Sequence, residues 1–536
     1  MTATQARPGA RQRHPAEGQT ARGRRPSVPW FLLGTSIAVA AVMLAPLAFL
    51  LIEARGAGLA TLAGLIWRPL TAALLWNTVR LMVVVSALCA VIGTLAAWCV
   101  ERTNLPGRRV WAVLVVVPFA IPDFVVSFGW ASLTTWAQGF RGAVVVMTLA
   151  AYPLVYLPVA ASLRSADPGQ EETARSLGLG RVATFLRVTV AQARGAILGG
   201  CVLVALVLLA EYGAFEILGY QTFTTEIFSE FQISFNVPTA CALSLVLIAL
   251  SVVVLGGDAA ARSRGRVVRT GPLAQRVIPR QRLGKATAGV LAGFSALVGL
   301  ALGVPIGANV YWVFEGGAHA IAGVSVADAG WHTALYGACA AAAATLLALP
   351  VALLAVRHGS RTSRLLERST YLVLAMPGLV IALALSYFAE RYAHGFGYQT
   401  APLLIAAYVI LFFPLALVGV RASVARAPVA LEEAAASLGQ RRLALLWRVT
   451  LPLVAPGLAA AFCLVFLAAV TELTATLILI PTGVQTLATQ FWAYQQNLSY
   501  GQAAPFALVI IAIAAVPSYV LGRYFDRLPA GAKRPL

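Results

Sequence analysis

The chain has 536 residues, 60% hydrophobic and only 11% charged, with a mean hydropathy of +0.81. That balance would aggregate in water and excludes a soluble globular protein. The net charge of +20 raises nucleic acid as a partner, but such binding needs basic residues interleaved with aromatics on a soluble domain, and no polar segment reaches domain size.

Residues 1–29 hold six Arg among Pro, Gly and Gln and read as a disordered basic cytoplasmic arm. Arg24-Arg25 ahead of an apolar run has the look of an export signal. The run is long enough to span and no small-residue cleavage site follows it, so it reads as an uncleaved first helix. A span needs about 20 mainly apolar residues. Twelve such runs follow, near 30–52, 74–100, 111–134, 142–163, 195–217, 236–256, 286–310, 331–356, 370–388, 401–424, 454–480 and 505–522. The expected fold class is all-α, a polytopic membrane protein of about twelve transmembrane helices. With the N-terminus inside, all but five of the 40 Lys and Arg (Arg55, Arg68, Arg80, Arg141 and Arg391) fall on cytoplasmic segments. This positive-inside bias predicts cytoplasmic N- and C-termini, and Trp30, Trp130, Trp136 and Trp331 suit interfacial anchors. The six Cys (89, 99, 201, 241, 339 and 463) are scattered through apolar runs without CxxC pairing and read as small core residues.

The chain also repeats itself. EETARSLG at 171–178 and EEAAASLG at 432–439 lie 261 residues apart, and at that spacing Pro153 meets Pro414, Arg187-Val188-Thr189 meets Arg448-Val449-Thr450, and Glu211 meets Glu472. Earlier in each half the spacing is 255, joining Trp76 to Trp331, Thr78 to Thr333, Arg102 to Arg357 and Pro122 to Pro377. One half is a duplicate of the other. The expected organisation is the arm 1–29, a first half 30–256, a linker 257–285 with seven Arg and one Lys, a second half 286–522, and a cytoplasmic tail 523–536. An even number of spans per half makes this a parallel repeat about an axis along the membrane normal.

Each octapeptide falls in a cytoplasmic loop of about 30 residues, between the fourth and fifth spans of its half. Asp167-Pro168-Gly169-Gln170 predicts a capping-box start with proline in the first turn. Glu171 and Glu172 suit the positive end of the helix dipole, and Gly178 predicts a stop at positive φ. A second helix with Arg181, Arg187 and Arg194 follows. The other copy has Ala427-Pro428 and no capping side chain, so its start is expected to fray. Small residues flanked by acids and Arg give a short helix with one smooth and one charged face, the form of a docking element. A merely solvated loop is the alternative, but helix stability alone would not demand the same pattern in both halves.

These loops, with Arg-Val-Thr beyond each and Leu451-Pro452 closing the second, resemble the EAA loop of the membrane permease subunits of binding-protein-dependent ABC importers. The resemblance covers nearly the whole chain, because fused twelve-span permeases share the two-half layout. It implies that the first helix of each loop is a coupling helix seated in a cleft of an ATP-hydrolysing subunit. The positions that carry this are Glu171, Glu172, Ala174 and Gly178 in the first half, and Glu432, Glu433, Ala434 and Gly439 in the second. As partners it implies two copies of an ATP-binding subunit, an extracytoplasmic substrate-binding protein and membrane lipid, in a bacterial inner membrane. The first copy departs from the pattern at Thr173 and at Val190-Ala191. Residues 211–232 and 471–495 look most like the ferric-iron importers, which implies ferric iron as cargo; relatives for thiamine, phosphonates, sulfate and polyamines share the architecture.

No G-x-x-x-x-G-K-[ST] occurs, and Gly284-Lys285-Ala286-Thr287 lacks both the leading glycine and the hydroxyl after the lysine. ATP and Mg²⁺ are therefore expected on a partner, with no cofactor on this chain. The five His (14, 319, 332, 358 and 394) are isolated, which predicts no metal site. No Ser/His/Asp or Cys/His constellation points to an enzyme. Outward loops near 218–235, 311–330 and 481–503 are where a binding protein would dock. Glu211 and Glu472, expected within spans five and eleven, are costly in a bilayer. They either face the shared axis as weak acceptors for a passing cation, or cap a helix end near the outer interface, or bond to a neighbouring Tyr or Thr, as Tyr212 and Thr471 allow. Asp123 has Gly378 as its counterpart and reads as a local break. The competing class is a gradient-driven secondary transporter, which would want several buried acids or broken spans at the midplane and leaves the twin loops without a task.

Overall fold

The computed structural model describes residues 30–57, 64, 67–166, 168–263, 280–317, 325–358, 360–392 and 397–527. The basic arm, most of the linker, the end of the tail, His14, His319, His394 and the expected Asp167 cap lie outside the described residues. Among the described residues ten helices are long and apolar enough to cross a membrane, and with each of two bent pairs taken as one span there are twelve. In chain order the first half holds α1 (Trp30–Glu53), α2 (Pro69–Arg102), α3 (Arg108–Ala120 with Asp123–Ala131), α4 (Gly139–Arg164), α5 (Arg181–Ala210) and α6 (Val237–Gly257). The second holds α7 (Gly284–Gly316), α8 (Val326–Arg357), α9 (Arg361–Ala375 with Gly378–Tyr392), α10 (Ala401–Arg426), α11 (Leu446–Val470) and α12 (Tyr500–Ser518).

Runs 111–134 and 370–388 each read as one span in the sequence, with a local break expected only at Asp123; in the structure both are broken, α3 by 91° and α9 by 99°. The breaks fall at the repeated prolines, Pro122 and Pro377. Proline supplies no N–H to the preceding turn and forces its predecessor out of the helical region. Accordingly Ile121 (φ −89°, ψ 128°) and Met376 (φ −105°, ψ 110°) are extended.

Within the first half α2, α4 and α5 pack on one another, as α8, α10 and α11 do in the second. Small residues permit the close approach: a Cβ on Gly93 would lie 2.9 Å from the backbone nitrogen of Tyr156, and one on Gly200 would lie 2.7 Å from Val155 Cα. The halves also exchange their outer spans. Val39, Met43 and Leu50 of α1 and Leu243 and Leu247 of α6 are buried in the second half's core. Reciprocally, Ala301 and Leu302 of α7 and Phe506 and Ile510 of α12 complete the first half's core. Pro305 of α7 lies against Gly129 of α3, where a Cβ would come 2.6 Å from its Cα. Each half is thus clasped by the first and last spans of the other.

Candidate functional site

Each repeated octapeptide forms a short helix, Pro168–Ser176 in the first half and Val429–Ser437 in the second. Both stop in the same way. Gly178 (φ +86°) and Gly439 (φ +79°) are left-handed. The Gly178 and Leu179 amides donate to Arg175 O (3.0 Å) and Ala174 O (3.1 Å), and the Gly439 and Gln440 amides donate to Ala436 O (3.0 Å) and Ala435 O (3.2 Å). This is the paired-bond stop that glycine closes without steric cost. Space around both glycines is open to 4 Å, so their backbone conformation is what demands the residue. Pro428 sits at the second helix's cap without a side-chain bond. Beyond each turn the expected second helix is the entry to the next span, which passes through one π-helical turn, Phe185–Thr189 or Leu446–Thr450.

The candidate coupling residues divide into two kinds. Glu171 is only 6% exposed; its Oε1 accepts a hydrogen bond from Thr189 Oγ1 at 3.0 Å and pairs with Arg102 Nη2 at 3.6 Å. Glu432 repeats this, accepting from Thr450 Oγ1 at 3.2 Å and from Arg357 Nη2 at 2.8 Å. Ala174 is buried. Glu172, Glu433, Ala434, Gly178 and Gly439 are exposed. Beside the glycines, Leu177 and Leu438 are 79% and 82% exposed, and Leu186 and Trp447, matched by the repeat, are exposed too. Paired apolar knobs next to a charged helix form an interaction surface. Arg102, Arg357, Thr189 and Thr450 entered the sequence reading only as marks of the repeat. A charge kept at the same repeat position at the end of an apolar span was the available signal.

Glu211 and Glu472 were expected within spans, but α5 stops at Ala210 and α11 at Val470. Glu211 Oε1 accepts from the Ala214 amide at 2.7 Å and Glu472 Oε1 from the Ala475 amide at 2.9 Å. Each therefore caps the short helix that follows, Gly213–Ile217 or Thr474–Leu479. The caps sit beside the broken spans. The halves meet here: a Cβ on Gly213 would come 2.6 Å from Leu473 Cδ2 and 3.1 Å from Phe124 Cβ, and the Glu472 carboxylate lies against Gly378. Asp123 opens the second segment of α3, where a carboxylate suits the helix dipole. The two proline breaks and the two glutamate caps thus lie where the halves meet.

On the face opposite the loop helices, a cavity of about 430 Å³ is lined by Tyr212, Glu216, Tyr220, Glu226, Ser229 and Trp492, among others. Arg80 Nη2 donates to the Tyr220 hydroxyl at 3.2 Å. Burial, and then the charge of Glu230, push the Glu226 carboxyl above its usual range. The capping boxes at Thr222/Thr225 and Thr486/Thr489 align the halves here and set neutral Gln490 opposite Glu226, so the acidic lining belongs to one half. Among the described residues no group of three or more His, Cys, Asp or Glu is arranged to hold a metal ion.

Comparison with known proteins matches this geometry to a family. Residues 89–264 and 344–530 each match the family described as "Binding-protein-dependent transport system inner membrane component". The chain is 36% identical over 505 residues to the Fe(3+)-transport system permease protein FbpB 2 of Haemophilus influenzae, covering 94% of this chain and 99% of that protein. It is 30% identical over 246 residues to the sulfate transport system permease protein CysT of Salmonella typhimurium (42% of this chain, 88% of that protein). It is 28% identical over 160 residues to the molybdenum transport system permease protein ModB of Escherichia coli (26% and 69%). Two family domains, one in each repeat half, sit on twelve spans with matched loop helices on one face: the chain belongs to the inner membrane components of binding-protein-dependent transport systems, as a permease with both halves fused in one polypeptide.

Proposed function

We propose that this permease imports ferric iron, driven by ATP hydrolysis on two copies of a partner ATPase, one on each loop helix. A substrate-binding protein delivers the cargo to the opposite face. In this reading the loop helices and both termini are cytoplasmic, ATP and Mg²⁺ stay on the partners, and this chain carries no cofactor. ATP binding closes the two ATPase subunits, the loop helices follow, and the halves swing from inward-facing to outward-facing. The stroke is limited to the difference in contact free energy between the two states.

The observation that carries the coupling reading is the pair of matching helices, each closed by a left-handed glycine and flanked by an exposed leucine. Cargo rests on the 36% identity to a ferric permease over nearly the full length of both proteins. It is supported by the Glu211 and Glu472 carboxyl groups, which cap matched short helices where the halves meet. Carboxyl oxygens suit a hard cation rather than an oxyanion such as sulfate or molybdate. Broken spans and buried acids, the features a gradient-driven transporter would need, are present. The twin loop helices have a task only when a motor subunit is bound.

The test is uptake into proteoliposomes holding the permease, its ATPase and its binding protein. ATP-driven accumulation of ferric iron, abolished by Glu433→Lys or Gly439→Asp with the protein still in the membrane, supports the reading. Unchanged ATP-dependent uptake in both variants, or sulfate accumulated in place of iron, refutes it.

A further inference from the structure

We propose that Arg102 and Arg357 are positioning residues of coupling: each grips the first glutamate of its loop and thereby ties the coupling helix to α2 or α8, as well as to the span that continues from the loop. The assignment rests on the coupling function proposed above and names the mechanical link inside it.

Each arginine is the last residue of its span, α2 ending at Arg102 and α8 at Arg357. Arg102 is 1% exposed and Arg357 is mostly buried. Opposite each guanidinium lies the first glutamate of the loop, at 3.6 Å for Glu171 and 2.8 Å for Glu432. The same carboxylate oxygen takes a hydroxyl from the π-turn, Thr189 or Thr450. Arg357 Nη2 also holds the Ala427 carbonyl ahead of the loop helix at 3.1 Å. One carboxylate therefore joins three elements: the end of one span, the loop helix and the start of another span.

A buried ion pair is a poor stability device, since an apolar pair of similar volume is often as stable. Its recurrence in both halves, on residues the repeat has kept, calls for another explanation. A clamp that removes play between helix and span supplies one. It also explains why two acids stand in tandem. Glu171 and Glu432 face inward to the clamp, whereas Glu172 and Glu433 face out, where the ATPase would meet them. Because α2 packs on α4 and α5, and α8 on α10 and α11, a clamped loop helix moves a three-helix block.

The experiment uses the complete transporter in proteoliposomes with ferric iron and measures two quantities, iron taken up per ATP hydrolysed and ATPase subunits retained per permease. Glu432→Gln and Arg357→Ala should keep ATPase subunits within twofold of wild type yet lower uptake per ATP at least tenfold. Arg357→Lys and the charge swap Arg357→Glu/Glu432→Arg should recover at least a third of the wild-type ratio. If Arg357→Ala fails to accumulate, the near-isosteric Glu432→Gln decides alone. A wild-type coupling ratio in Glu432→Gln overturns the assignment. So does loss of bound ATPase that the swap cannot restore, which would make Glu432 a direct contact of the motor. Failure of the function itself is distinguishable: then Glu433→Lys, outside the clamp, also leaves uptake unchanged.

Discussion

Gly378 stands against the carboxylate of Glu472: a Cβ on that glycine would come 3.1 Å from Glu472 Oε1 and 3.2 Å from Leu411 Cδ2. The counterpart of this pair in the first half is Asp123 with Glu211. One half therefore sets two carboxylates at its proline break, and the other sets one carboxylate and a bare backbone. Gly378→Ala forces Glu472 or Leu411 aside, an overpacking cost of about 1–3 kcal/mol. The expected result is a lower midpoint of thermal unfolding in detergent. An unchanged midpoint would mean that the carboxylate moves freely, contrary to its bond with the Ala475 amide.

Glu211 and Glu472 both cap a helix and sit where the halves meet, and amide substitution separates the two roles. Glutamine keeps an oxygen for the Ala214 or Ala475 amide and removes the charge. Glu211→Gln and Glu472→Gln should leave the unfolding midpoint near wild type while lowering iron uptake at least fivefold. The alanine variants should in addition lose about 0.5–2 kcal/mol, the usual worth of a cap. Full uptake in both glutamine variants would leave capping as their only work.

At Gly439 the expected effect is conformational, because no atom lies within 4 Å of the Cβ position and φ is +79°. An alanine held in the left-handed region costs about 1–2 kcal/mol, so Gly439→Ala should speed local opening of the loop helix roughly five- to thirtyfold. Amide hydrogen exchange across Val429–Ser437 reads this directly. Asparagine tolerates that region better and should fall between alanine and wild type. Equal exchange in all three would show that the turn relaxes without penalty.

The parts of this architecture that are legible in the sequence are those encoded locally. Twelve apolar runs and the stops at Gly178 and Gly439 depend on residues close together in the chain, and the duplication shows as the same local patterns recurring at fixed spacings. The proline breaks were half visible: Pro122 and Pro377 were paired by the repeat and Asp123 pointed to a local break, yet hydropathy stays high through a bend, so each run reads as one span. The clasp of α1 on the second half was not visible, because an apolar helix carries no mark of which apolar surface it will meet. Nor was the inward turn of Glu171. Two adjacent acids look alike in a string, and only the arrival of Arg102, 69 positions earlier in the sequence, and of Thr189 from the π-turn sorts one to the inside.

The helix Phe223–Gln232, on the face opposite the loop helices, should respond to pH through Glu226. Burial and the neighbouring Glu230 hold the Glu226 carboxyl above its ordinary range, so in the folded helix it keeps its proton longer than in the unfolded chain. Below the unfolded value, about 4.3 for glutamate, both states are protonated and the helix has its full stability. As pH rises from there through the raised folded value, the unfolded chain binds fewer protons than the folded one, and stability is lost. Amide protection across the helix, measured in nanodiscs and corrected for intrinsic exchange rates, should therefore be greatest near pH 4 and decline as the pH rises. Glu226→Gln removes the titrating group of the helix and should reduce that decline, leaving the contribution of the nearby Glu216, whose carboxyl burial also raises. Protection that instead grows with pH in the wild type would require Glu226 to gain a cationic partner, and Arg80, already bonded to Tyr220 in the same cavity wall, would be the first residue to substitute in search of it.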